Sequence, residues 1–190
     1  MTTQNTGENK VDWFLHRTVD YQVSYNPRTG AVNGTVKVTL RNSAPTTGQS
    51  AVVIGTDGQF TKQDGVNSSY LTIYTPWLYQ WATVDGRVLP VNSSRELGVW
   101  ADSAFVSVPP GGTTTIVLRV EGSLPTGTAY RLTMSRQPMV NADQAQVSVT
   151  LPPGEGFTCS SGLALSAAGS QATARFELDT NVSFSASVGG

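Results

Sequence analysis

The sequence predicts an all-β protein: an antiparallel β-sandwich, immunoglobulin-like or related, with about a dozen strands. Three observations lead there. Apolar and polar residues alternate with a period of two through much of the 190-residue chain. Turn residues punctuate the alternating runs. No segment shows a capped apolar stripe of helical period, the best candidate being a short turn around Asn141 to Gln144.

The runs follow one another in order. In "VDYQVSY", Val19, Tyr21, Val23 and Tyr25 share a face opposite Asp20, Gln22 and Ser24. "TVKVTL" sets Val36, Val38 and Leu40 against Thr35, Lys37 and Thr39. "TTIVLRV" repeats the pattern with Ile116, Leu118 and Val120, and "QVSVTL" with Val147, Val149 and Leu151. "ARFELD" turns Phe176 and Leu178 one way, and "VSFSASV" turns Val182, Phe184 and Val188 away from serines. Strands with one dry and one wet face pack as antiparallel sheets. Val36, Val38, Leu40, Ile116, Leu118, Phe176 and Phe184 are therefore the expected core.

Between the runs lie "NPRTG", "TDG", "QDG", "VDG", "PPGG", "LPTG" and "PPGEG". Proline presets φ, glycine takes positive φ, and Asp or Asn bonds its own backbone, so each is a turn with a mechanism. Asp57, Asp64 and Asp85 each precede glycine and read as turn residues. Asp85-Gly86, between Thr83-Val84 and Arg87-Val88, is a two-residue hairpin signal. Residues 1–10, polar throughout, read as a disordered lead-in, and residues 11–190 as one sandwich domain. A boundary near Pro138 is the alternative division.

Composition excludes several functions. Charged residues are 13% of the chain and the net charge is −1, so no basic field exists to hold nucleic acid or an anionic membrane. No apolar run is long enough for a transmembrane helix. The single cysteine, Cys159, rules out an internal disulfide and reads as a packed thiol. The single histidine, His16, cannot build a histidine-rich zinc site and reads as a structural or surface residue. No cofactor motif is present, and "TDGQFTKQDG" lacks the spacing of a calcium loop. Glu96 and Asp102 could serve a glycoside hydrolase only if they met in space. Asn33, Asn67, Asn92 and Asn181 match the glycosylation acceptor pattern by composition.

The candidate ligand residues lie in "YTPWLYQWATVDGRVLPV". Trp77, Tyr79 and Trp81 fall at every second position, with Trp100 a possible extension. If Asp85-Gly86 is the loop, they share one face with Thr83. Leu78, Gln80, Ala82 and Val84, with Leu89 and Val91 across the ladder, make the more aliphatic face. That division expects an aliphatic core face and an outward aromatic row able to stack on sugar rings. The competing reading makes the aromatics part of the core, as Trp and Tyr in strands often are. Trp100 is expected in the core.

Three stretches, "VDYQVSYNPRTGAVNGTVKVTLRNSAP", "RELGVWADSAFVSVPPGGTTTIVLRVEG" and "YRLTMSRQPMVNADQAQVSVTLPPG", together resemble the C-terminal β-rich region of actinobacterial envelope proteins, domain-of-unknown-function family four-zero-one-two. The resemblance spans residues 10–155. It implies a membrane-anchored protein whose larger portion precedes this region and places this segment outside the cytoplasmic membrane. It implies no catalytic residue. The expected function is a non-catalytic structural or interaction module, its partners the rest of its own chain or envelope polysaccharide. The alternative is a carbohydrate-binding module using the aromatic row.

Overall fold

The computed structural model describes residues 1–56 and 63–189. It is all-β, with fifteen strands in three sheets among the described residues. The eight-stranded sheet runs in spatial order β13 (Ala164–Leu165), β14 (Gln171–Leu178), β11 (Asp143–Thr150), β2 (Leu15–Tyr25), β3 (Ala31–Asn42), β9 (Thr113–Ser123), β5 (Leu78–Val84) and β6 (Arg87–Val88). The four-stranded sheet runs β1 (Thr2–Asn5), β4 (Asn67–Thr75), β8 (Val99–Val108) and β7 (Asn92–Glu96). The three-stranded sheet runs β10 (Tyr130–Met134), β15 (Val182–Val188) and β12 (Phe157–Ser161).

Alternation explains how they pack. The dry face of the large sheet is built in rows across the ladders. One row runs Ala145, Val19, Val38, Ile116 and Val84; the next runs Val147, Tyr21, Val36, Leu118 and Ala82. Leu71, Ile73, Ala104 and Val106 of the four-stranded sheet join these rows in one hydrophobic core. So do Tyr130, Phe157, Phe184 and Ala186 of the smallest sheet. The large sheet is thus a floor on which two smaller sheets sit. The expected core residues are buried, except that Phe176 is half-buried at the sheet margin, its ring 5.2 Å from that of Phe184.

The sequence reading needs four corrections here. Among the described residues one ladder, β2 with β11, is parallel, while every other pairing is antiparallel. Periodicity cannot distinguish the two, since both put alternate side chains on one face. Residues 1–10 are not a disordered lead-in, because Thr2–Asn5 pairs with β4. Thr3 is buried, and Gln137 accepts from its N–H and donates to its carbonyl. Asn141 to Gln144 form no helical turn; a bend leads directly into β11. Among the described residues the helical pieces are a 3-10 turn, Val11–Phe14, and α1 (Ala51–Ile54), beside a small second core of Val11, Ala44 and Ile54. Cys159 is exposed: Phe157 turns inward, and a bulge between them leaves the thiol on the outer side.

Strands before and after Pro138 share the eight-stranded and three-stranded sheets, so no division falls there. The Asp85-Gly86 hairpin forms as expected, with both residues at positive φ and Thr83 opposite Val88. Asp64-Gly65 also forms a turn, while Asp57 lies outside the described residues.

Phe184 joins the smallest sheet to the large one. Truncating Phe184 to Ala should cost ~3–5 kcal/mol through lost transfer energy and a residual cavity. Phe176→Ala should cost distinctly less, because water already reaches that ring. Urea unfolding of both variants measures the difference.

Candidate functional site

The aromatic row is not a row. Tyr79 pairs with Val120 and Trp81 with Arg119, leaving Gln80 as an extra residue in a β-bulge. One inserted residue shifts the phase of everything before it. Tyr79 therefore faces the core with Ala82 and Val84, and Trp77 packs against the same core. Leu78, expected inside, is half exposed, as is Trp81. Leu89 and Val91 keep the core-side positions expected of them.

Trp77 is fixed by two close contacts. Its Nε1 donates to the Tyr21 hydroxyl at 3.1 Å. Its ring lies across Gly122, where a Cβ would fall 2.4 Å from a ring carbon. Tyr21 in turn shares a 3.0 Å hydrogen bond with the Tyr130 hydroxyl. Tyr21 also leans over Gly34, whose absent side chain leaves room for its ring. Burial holds both phenols well above the usual tyrosine range, Tyr130 further so by the neighbouring Tyr21. This cluster is the interior of the sandwich, not a ligand platform. Trp100 is half-buried, with the Arg95 guanidinium 4.9 Å over its ring.

The other sequence candidates do not converge. Glu96 lies on the outer face of the four-stranded sheet, whereas Asp102, paired with Ile73, points to the inner face. His16 is exposed, its Nε2 3.4 Å from Ser43 Oγ. Asn67, a glycosylation match, is fully buried and donates to Asp12. Among the described residues, no group of three or more His, Cys, Asp or Glu could hold a metal. No helix among them is long and apolar enough to cross a membrane.

Two surface features went unread in the sequence. One is a groove of about 400 Å³ over the outer face of the four-stranded sheet. Thr72 and Ser103 form its floor, their hydroxyls 2.9 Å apart. Tyr70 and Tyr74 rise from β4 beside it, and the Tyr70 ring sits 4.8 Å from Phe105. Gln4 and Asn92 bound it from the edge strands, and Tyr74 donates to Glu96 at 3.3 Å. The alternation in "SSYLTIYT" carried this signal: Leu71 and Ile73 inward force Tyr70, Thr72 and Tyr74 outward.

The second feature is apolar. Trp13, Val52 and Val140 are each about three-fifths exposed. Backbone bonds tie their segments together: Lys10 N–H donates to Val52 and its carbonyl accepts from Trp13. Asn141 donates to the carbonyls of Trp13 and Leu15. No strand alternation marked these residues, because they sit in a 3-10 turn, a one-turn helix and a bend that meet only in three dimensions.

No protein-family model matches the sequence, and no curated protein matches it. Solved structures do. Yeast LTA4 hydrolase in complex with bestatin is similar at a TM-score of 0.51 and 9% identity, covering 96% of this chain and 31% of that one. Native leukotriene A4 hydrolase from Saccharomyces cerevisiae gives 0.51 and 10%, covering 95% and 31%. An M1 zinc metallopeptidase from Deinococcus radiodurans gives 0.45 and 14%, covering 96% and 43%. At these identities the likeness to the two yeast structures is one of fold alone. The chain spans less than half the length of each.

Two expectations follow. Trp77→Ala should cost about 3 kcal/mol, the low end for a large aromatic because the ring is not fully enclosed. Trp81→Ala should stay below about 1 kcal/mol. Chemical denaturation with tryptophan fluorescence distinguishes the two.

Asp102 supplies a pH test. Burial raises its carboxyl above the usual range, with a hydrogen bond from Ser93 partly opposing, and its Oδ2 is buried without a partner. The folded protein then holds this proton more tightly than the unfolded chain. Its contribution to stability falls as pH rises from the unfolded pKa through the folded one. Asp102→Asn should remove that fall, so variant and parent should diverge above pH ~4 in favour of the variant. Thermal melts from acid to neutral pH measure it.

Proposed function

We propose that this chain is a non-catalytic structural and interaction module of a larger, membrane-anchored cell-envelope protein, positioned outside the cytoplasmic membrane. The observation that carries the reading is the set of exposed apolar residues Trp13, Val52 and Val140, on segments that hydrogen bonds tie together into one apolar end. Exposed apolar side chains gathered on one surface mark an interface. Its occupant is the remainder of the same polypeptide. Two things support that choice: the resemblance to larger envelope proteins, and a β assembly of this kind occupying 31% of the yeast hydrolase chain. The single histidine, His16, and the opposite facing of Glu96 and Asp102 support leaving the hydrolase activity named for that protein out of this reading. The binding reading built on Trp77, Tyr79 and Trp81 gives way, because two of the three pack inward.

The test uses the native polypeptide divided after this module is defined, with the remainder expressed separately. The module should co-purify with the remainder. A Trp13→Ser, Val52→Ser, Val140→Ser variant should lose that association while its own unfolding free energy changes by less than about 1 kcal/mol. Association unchanged in the triple variant, or absent in the parent, overturns the docking role. Protease digestion of the module on intact cells tests its location.

A further inference from the structure

The groove over the four-stranded sheet is used by neither the core nor the apolar end, and its chemistry selects one kind of ligand. Its floor is a pair of hydroxyls, Thr72 and Ser103, both almost covered. Each can donate and accept, so the pair can exchange its mutual bond for bonds to a ligand hydroxyl. Two amides stand at the rims, Gln4 and Asn92, again offering both donors and acceptors. Aromatic rings stand at the two ends. Tyr70 occupies one. Tyr74 stands four residues along β4, ~13 Å away at the rise of a strand.

No lysine or arginine lines the groove, and Glu96 is its single charged residue. Polyanions such as nucleic acid or phosphorylated polymers meet no cation there and one like charge. A lipid or apolar peptide would have to strip water from the hydroxyl floor without replacing its hydrogen bonds. A sugar chain satisfies every part of the site. Its C–H faces stack on the terminal rings, and its hydroxyls replace water over the floor and rims. We propose that the outer face of the four-stranded sheet binds a neutral polysaccharide strand between Tyr70 and Tyr74. This site lies apart from the Trp13 end and does not depend on the docking reading.

The experiment is native affinity electrophoresis of the intact chain through gels containing arabinogalactan, galactomannan or mixed-linkage β-glucan, with polygalacturonate and heparin as anionic arms. At least one neutral polymer should retard the protein, and neither anionic polymer should. Tyr70→Ala and Tyr74→Ala, at the two rings that line the groove, should each weaken the retardation constant about tenfold. Trp81→Ala, on a different sheet, should leave it unchanged. Raising NaCl from about 0.05 to 0.5 M should also leave it unchanged, as expected for uncharged contacts. The proposal is overturned if no neutral polymer retards the chain, if the anionic polymers bind instead, if salt abolishes retardation, or if both groove variants migrate like the parent. Circular dichroism of the two variants confirms that any loss comes from a folded protein.

Discussion

A buried ion pair underlies the order of the sheets. Arg17 on β2 and Asp143 at the start of β11 are both nearly inaccessible, and they meet through two parallel bonds, Nε to Oδ1 at 2.6 Å and Nη2 to Oδ2 at 2.9 Å. Nη1 then donates to Thr3 Oγ1 and Gln137 Oε1. One guanidinium thus ties together the first strand, the centre of the large sheet and the segment leading into β11. Two unpaired charges in this interior would cost more than the fold can lose, so the chain must bring both to one place. That requirement fits the parallel register of β2 and β11, the one ladder that no hairpin could set.

The second constraint is close approach between layers. The Tyr21, Tyr130 and Trp77 polar groups satisfy one another where the sheets meet, and Gly34 and Gly122 give their rings room. A buried hydroxyl without a partner is costly, so the three aromatics hold the layers in one relative position. This explains why aromatics that look suited to ligands in the sequence are committed to packing. Trp77 packs on Gly122 and donates inward, which commits most of its ring to the core.

What remains for function lies on the outside. Trp13, Val52 and Val140 stand exposed on a 3-10 turn, a one-turn helix and a bend, and the groove gathers hydroxyls, amides and rings from four strands. They differ in chemistry, and the proposed partners differ with them: a protein surface for the first, a hydroxylated polymer for the second. A module that joins its own chain at one surface and touches envelope polysaccharide at another would need both.

The strand pattern was legible because burial on one face imposes a period of two, whatever the partner strand. Val19 to Tyr25, Val36 to Leu40 and Ile116 to Val120 declared their dry faces in this way, and Asp85-Gly86 declared its hairpin through positive φ. The facing of Trp77 and Tyr79 was not legible. It turns on one residue, Gln80, bulging from the ladder opposite Val120 and Arg119, and a bulge leaves no mark in local composition. Nor could the sequence show that the polar first residues would form an edge strand, since Thr3 is held by Arg17 and Gln137 from far along the chain. The sequence by itself determined which residues alternate and where the chain turns, because those follow from local geometry. Register, sheet order and the surfaces that meet a partner were decided only by tertiary structure, because they depend on contacts between residues that the sequence keeps apart.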